Sequence, residues 1–193
     1  MFLTIWKFGL IAMAALAAAW MGAAPAAAGE AGKSRVLIVY FSHTGTTHGI
    51  AERLQKKIGG AFHRIEPVNS YPEGREAALD QGKKETADSF KPELKGEPPR
   101  LDDIDLVLVG GPVWYGTLAP PLLSFLAKVD LKGKTVAPFC TYGGGIRDYF
   151  QHFKMAISKE ATVLEGLGLS KVNEMQDGDI EKALDAWLAK FPK

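Results

Sequence analysis

Residues 36–41 (Val-Leu-Ile-Val-Tyr-Phe) form an unbroken apolar run of β-branched and aromatic side chains. A run this short with no polar face predicts a strand covered on both sides, as in a parallel sheet. The period then changes. Ile50, Ala51, Leu54 and Ile58 recur at helical spacing, so a helix is expected from Thr46 or Thr47 to about Ile58, closed by Gly59 and Gly60. Residues 61–67 alternate apolar and polar and predict a half-buried edge strand. Residues 75–88 predict a charged, weakly amphipathic helix, and residues 89–100, with Pro92, Gly96, Pro98 and Pro99, a surface loop. Residues 106–110 and 135–140 repeat the buried-strand pattern around a short helix at 121–129. A helix at 146–159 carries Tyr149, Phe150, Phe153 and Ile157. An uninterrupted last strand follows at 162–169, then a helix at 179–191 with Ile180, Ala183, Leu184, Trp187 and Leu188 on one face.

Five strands alternating with helices predict an α/β fold, a doubly wound parallel sheet with helices on both faces. In such sheets the crossovers are right-handed, and ligands bind beyond the carboxyl ends of the strands where the strand order reverses. The turns after the first, third and fourth strands are therefore the places to look for chemistry.

With 193 residues, 47% of them apolar, the chain can build one domain, expected over residues 35–193. The first 28 residues read differently. Lys7 is the only charge before Glu30, residues 10–20 are apolar and alanine-rich, and Ala26-Ala27-Ala28 offers small residues for cleavage. This is the pattern of a secretory signal peptide, followed by a linker at 29–34, and it predicts an exported, periplasmic protein. An uncleaved N-terminal anchor is the alternative. There is no twin arginine to indicate export in the folded state. Cleavage after Ala28 removes Lys7 and leaves 22 basic residues against 22 acidic ones. That balance speaks against a nucleic-acid partner. The single cysteine, Cys140, excludes an intramolecular disulfide. No pair among His43, His48, His63 and His152 has metal-ligand spacing. His48 is expected on the outer face of the first helix, His63 on the edge strand and His152 on a helix surface.

The first turn, Ser42-His43-Thr44-Gly45-Thr46-Thr47, places four hydroxyls and a glycine at a helix start. Unpaired N–H groups, the helix dipole and short hydroxyls together suit a phosphate. No lysine or arginine lies between Phe41 and Glu52, so amides and hydroxyls would have to neutralise it. It is neither a Walker loop nor a Gly-x-Gly-x-x-Gly turn. The plain alternative is an ordinary N-cap cluster. The third turn presents Pro112, Val113, Trp114, Tyr115 and Gly116, its two aromatics expected in a loop outside any regular element, as a platform for a flat ligand or as a plug between helices. The fourth turn presents Thr141, Tyr142, Gly143, Gly144 and Gly145, three glycines that permit close backbone approach or simply make a flexible turn.

These three turns resemble the flavodoxins and flavodoxin-like FMN reductases. Residues 42–47 resemble their Thr/Ser-x-Thr-Gly-x-Thr phosphate loop. Residues 110–117 resemble the Gly-x-Pro-x-Trp-aromatic-Gly-Thr loop of one bacterial branch, and residues 138–144 that branch's Pro-Phe-Cys-Thr-x-Gly-Gly. The resemblance spans about residues 35–170 and implies the short-chain type, strand order 2-1-3-4-5, and a non-covalent FMN that moves electrons. It implies that Ser42, Thr44, Thr46 and Thr47, with the amides of His43 and Gly45, hold the phosphate. Trp114 and Tyr142 would flank the isoalloxazine, Tyr115 would stand at its rim, and the peptide at Gly116 would lie near N5. Typical flavodoxins are strongly acidic, and this chain is neutral. His43 could assist the phosphate when protonated; the alternative is a solvent-facing turn residue.

Three further readings stand beside an electron carrier working with a redox partner protein. One is an FMN-dependent NAD(P)H:quinone-type reductase with a small-molecule acceptor. Another is an exported binding module of the same fold without flavin. The last uses Cys140 and Arg147, which nearly match the Cys-x5-Arg loop of tyrosine phosphatases and arsenate reductases; six residues intervene here, which misplaces the arginine.

Overall fold

The computed structural model describes residues 35–192, so the expected leader and the whole linker lie outside the described residues. The central sheet begins with β1 (Val36–Tyr40), all five residues buried. Its side chains alternate between two cores, as the pleat requires. Leu37 and Val39 face one core with Val107, Val109, Leu122, Phe125 and Phe153. Ile38 and Tyr40 face the other with Ile50, Leu54, Leu108, Phe139, Leu184 and Trp187.

The remaining elements run in the expected alternation: α1 (Thr46–Ile58), β2 (Ala61–Arg64), α2 (Arg75–Ala87), β3 (Leu106–Trp114), β4 (Thr117–Leu118), α3 (Pro120–Lys128), β5 (Thr135–Tyr142), α4 (Tyr149–Ala156), β6 (Thr162–Val163), β7 (Leu167–Ser170) and α5 (Asp177–Leu188). The sheet order is β2-β1-β3-β5-β6, with β7 also on β5, and all of these pairings are parallel. Counting β6 and β7 as two pieces of one strand and setting the hairpin strand β4 aside, this is the expected order 2-1-3-4-5. α1 and α5 cover one face; α2, α3 and α4 contribute to the core on the other. No described helix is long and apolar enough to cross a membrane.

Four expectations need correcting. The third strand does not stop at Gly110 but continues to Trp114. Past Gly110 its only parallel neighbour is β5, so Pro112 takes no donor away from β1. Trp114 therefore belongs to a strand that turns back through a tight hairpin, Val113 pairing with Leu118 and Trp114 with Thr117. The two turn residues, Tyr115 and Gly116, both take positive φ (53° and 80°), the geometry a two-residue hairpin demands. The fourth strand likewise extends through Thr141 and Tyr142. The helix expected over 146–159 is confined to Tyr149–Ala156, because Arg147 and Asp148 form the preceding turn and Ile157 is already extended. The last strand is interrupted: the Leu164 amide still bonds to the Val136 carbonyl, but the Glu165 carbonyl is taken by the Trp187 indole N–H at 2.7 Å. A carbonyl engaged by a helix side chain leaves the strand split around Gly166.

Candidate functional site

At the carboxyl edge of the sheet, the order reverses between β1 and β3, and a cleft of about 310 Å³ opens there. That volume is at the lower end of the range of roughly 300–1,000 Å³ usual for small-molecule sites. Its first wall is the turn between β1 and α1. Gly45 occupies the N-cap position with φ 89°, and no side chain caps the helix. The ordinary hydroxyl cap is thus not what these residues form, and the first N–H groups of α1 have no partner within the helix. Ser42 is 4% exposed, and its Oγ has no hydrogen-bond partner. A buried hydroxyl left unpaired costs about 1–3 kcal/mol, which makes it a group prepared for a ligand. Thr47, buried, shares a 2.8 Å hydrogen bond with Thr141, tying the start of α1 to the end of β5. Thr44 and Thr46 stand 3.3 Å apart on the open side.

The ends of β3 and β5 supply the floor. Pro112, Val113 and Trp114 line it from one strand; Thr141, Tyr142 and Gly143 line it from the other and its turn. Trp114 is not the free-standing platform that a loop position suggests. It is 5% exposed, and edge-to-face contacts hold it to Tyr71 (ring centroids 4.9 Å apart), Phe41 (5.7 Å) and His43 (6.4 Å). Only part of the indole reaches the cleft. Beneath this cluster the Tyr71 hydroxyl donates to the buried Glu85 carboxylate, which also accepts from Gln81 at 2.7 Å. Burial first, and then Glu85, push the Tyr71 phenol far up.

His43 is half-buried against Tyr71 and Trp114 and lies 3.4 Å from the Gly74 carbonyl, so it is an aromatic wall rather than a solvent-facing turn residue. His48 does not simply face solvent either: its Nδ1 is 2.7 Å from the Tyr40 hydroxyl and its Nε2 3.6 Å from Glu52. His152 is anchored by a 2.8 Å hydrogen bond to Thr117. His63 lies on the edge strand as expected, packed on Phe125.

Of the sequence-predicted site residues, Ser42, His43, Thr44, Thr46, Thr47, Pro112, Val113, Trp114, Thr141, Tyr142 and Gly143 converge on this cleft. Tyr115, Gly116 and Gly144 do not. They line a second recess that shares the Val113, Tyr142 and Gly143 wall. Gly45 lines neither and acts as the left-handed hinge into α1.

Six residues at the cleft escaped the sequence reading. Arg75 and Leu79 come from α2; Lys171, Val172, Asn173 and Glu174 come from the segment after β7. That segment is pinned by a 2.7 Å bond from the Lys171 amide to the Tyr142 carbonyl, and Thr46 donates to Asn173 Oδ1 at 3.5 Å. Arg75 and Lys171 thus bring positive charge to a site whose turn has none, and Lys171 is partly balanced by Glu174 at 3.2 Å. The only signal in the sequence was position, just beyond the carboxyl end of the last strand and at the start of a helix.

Cys140 sits at the buried end of β5, 1% exposed. Burial pushes its thiol far above the usual cysteine range. A thiol buried in the core is out of reach of a phosphate, which speaks against the Cys140–Arg147 reading. Among the described residues no cluster suited to a metal ion is present.

The parallel sheet, with its hydroxyl-lined, uncapped helix start at the point where the strand order reverses, defines a doubly wound α/β protein. The flavodoxin family model matches residues 35–189, and the chain belongs to that family. Among solved structures, a candidate flavoprotein from Bacteroides eggerthii is 30% identical, covering 81% of this chain and 96% of its own, with a TM-score of 0.68. A flavoprotein from Lactobacillus acidophilus, crystallised in complex with FMN, is 22% identical over 80% of this chain and 99% of its own (TM-score 0.62). Oxidised flavodoxin 2 from Bacillus cereus is 20% identical over 82% of this chain and 100% of its own (TM-score 0.51). No curated protein matches.

Proposed function

We propose that this chain binds one FMN non-covalently in the cleft and transfers electrons through it. The observation that carries this reading is the buried, unpartnered Ser42 hydroxyl beside the uncapped start of α1, a position that a phosphate oxygen would complete. Ser42, Thr44, Thr46 and Thr47, with the amides of His43 and Gly45, would hold the phosphate. Pro112, Val113, Trp114, Thr141, Tyr142 and Gly143 would bound the ring, with Tyr115, Gly116 and Gly144 at its rim. Bound there, FMN supplies the redox chemistry that side chains lack. The chain's own part is to position the ring, exclude water from its apolar side and set the charge around it.

Electron carriage to a partner protein and reduction of a small acceptor such as a quinone are both compatible with this site. The second would make the chain an NAD(P)H:quinone-type reductase. The signal-like leader supports an exported, periplasmic location with cleavage after Ala28. N-terminal sequencing of the protein recovered from the periplasmic fraction tests that placement.

The functional test is an absorption spectrum of the purified chain after incubation with FMN and desalting, followed by NAD(P)H addition. Retained flavin bands with quenched fluorescence are expected. Loss of all flavin on desalting would overturn the reading and leave a binding module of the same fold. Bleaching by NAD(P)H would select the reductase; reduction only by a protein partner would select the carrier.

A further inference from the structure

The indole that borders the cleft rests on a buried phenol that has a proton acceptor of its own. Tyr71 meets Trp114 edge-on with ring centroids 4.9 Å apart, the separation of aromatic rings in contact. Trp114 lines the cleft and Tyr71 does not, so the indole is the phenol's aromatic link to it. The Tyr71 hydroxyl donates to Oε2 of Glu85, and Gln81 donates to Oε1 at 2.7 Å. Glu85 is the one buried carboxylate among the described residues, and its oxygens meet only these two neutral donors there. A charge kept out of water on neutral donors is costly, and an amide would anchor the phenol as well. The other four tyrosines lack this combination. The Tyr40 hydroxyl meets His48, but its ring lies in the opposite core. The Tyr149 hydroxyl has no partner, Tyr115 is exposed, and Tyr142 borders the cleft with no buried carboxylate to receive its proton.

A phenol yields an electron readily only when its proton leaves as well, because the oxidised phenol is a strong acid. Burial and Glu85 hold the proton on Tyr71 at rest by pushing its pKa far up. The hydrogen bond to Glu85 gives that proton a place to go. We propose that Trp114, Tyr71 and Glu85 form a relay that carries an oxidising equivalent out of the cleft and holds it on Tyr71. The relay rests on the FMN reading for its oxidant, a flavin excited by blue light. The Trp114 indole gives one electron to the excited flavin, Tyr71 gives one electron to the indole radical cation, and the phenolic proton crosses to Glu85. Trp114 is restored, Tyr71 is left as a neutral radical, and Glu85 as a neutral acid. Return of the electron from the flavin and of the proton from Glu85 closes the cycle, so no further reactant is consumed. The activity this adds is light-driven charge separation, with its oxidised end sheltered from solvent.

The test is laser-flash absorption spectroscopy of the FMN-loaded chain, with electron paramagnetic resonance of samples frozen under illumination. A tyrosyl radical is expected to form as the tryptophanyl signal decays, and to form more slowly in heavy water. It should be lost in Tyr71→Phe and in Trp114→Phe. Glu85→Gln keeps an acceptor but takes no proton, so the radical should form at least about tenfold more slowly, the loss of a charge-assisted hydrogen bond expressed as a rate. Absence of the tyrosyl radical, its persistence in Tyr71→Phe, or a rate indifferent to both heavy water and Glu85→Gln overturns the proposal. If an aromatic variant fails to fold, Glu85→Gln and the heavy-water rate carry the test. Failure to retain FMN would sink the flavin reading, and ultraviolet photoionisation of the indoles in the FMN-free chain then reports separately whether the Trp114 radical passes to Tyr71.

Discussion

Gly82 sits inside α2, where alanine would ordinarily stabilise the helix by about 1 kcal/mol. The structure predicts the opposite sign. A Cβ at this position would lie 2.5 Å from Cε3 and 2.7 Å from Cζ3 of Trp114, whereas ordinary contact begins near 3.4 Å, so helix or ring must yield by about 0.9 Å. The ring cannot retreat freely, because Tyr71, Phe41 and His43 hold its other edges. Overpacking a tight core costs about 1–3 kcal/mol. With two aromatic carbons struck at once, the upper end applies, and Gly82→Ala is expected to lose about 2 kcal/mol net. For a urea slope of roughly 2 kcal/mol per molar, the midpoint falls by about 1 M. Unfolding of the FMN-free chain followed by far-UV circular dichroism measures it.

Trp114→Phe removes the carbons that the new methyl would strike. Alone it leaves a void and destabilises, but combined with Gly82→Ala it should cost clearly less than the sum, with a coupling of about 1–2 kcal/mol. A midpoint raised by the full helix gain, or strict additivity in the double variant, would refute the claim that α2 is seated on the indole. The cycle matters for function because the same indole borders the cleft.

Other outcomes follow from single groups. Ser42→Ala should stabilise the FMN-free chain by about 1 kcal/mol, since it removes an unpaired buried hydroxyl, while weakening FMN more than riboflavin; an unchanged FMN-to-riboflavin affinity ratio, from fluorescence titration, would contradict the phosphate assignment. His63 is held below its ordinary value of 6.5 by burial against Phe125. The unfolded chain therefore binds the proton more readily, stability falls as pH drops through and below 6.5, and His63→Phe should flatten that limb of a stability–pH curve. Cys140, buried with a raised pKa, should resist dithionitrobenzoate until the chain unfolds, and rapid labelling of the native protein would reopen thiolate chemistry.

Apolar period alone located the principal strands and helices, because burial on both faces leaves a continuous run such as residues 36–41 no other use. It was less able to say where they end. The third strand looked finished at Gly110 because glycine and proline interrupt the pattern, yet β5 runs alongside and pairs through Pro112 with Thr141. The last strand looked continuous, yet the Trp187 indole removes one of its carbonyls from the ladder. Both outcomes depend on a partner distant in sequence. The same holds for His48, whose helical position suggested solvent and whose ring instead meets Tyr40 from the preceding strand.

The site divides along the same line. Its phosphate turn is contiguous, and the helix that follows it is announced by its own spacing, so residues 42–47 could be read directly. The other walls come from four separate segments. Their motifs identified the strand ends, but not Arg75 on α2 or Lys171 and Asn173 after β7, which reach the cleft only through the crossovers. This changes the electrostatic argument. A turn with no cation, in a chain of formal net charge +1, suggests that amides and hydroxyls must meet the phosphate unaided. The fold instead gathers Arg75 and Lys171 at the cleft and Arg147 in the adjoining recess, while acidic residues elsewhere pair with Arg53 and Lys57 between α1 and α5. A nearly neutral total therefore conceals a cationic mouth, and positive charge beside a flavin favours its reduction, the reverse of what the strongly acidic surfaces of typical flavodoxins would do.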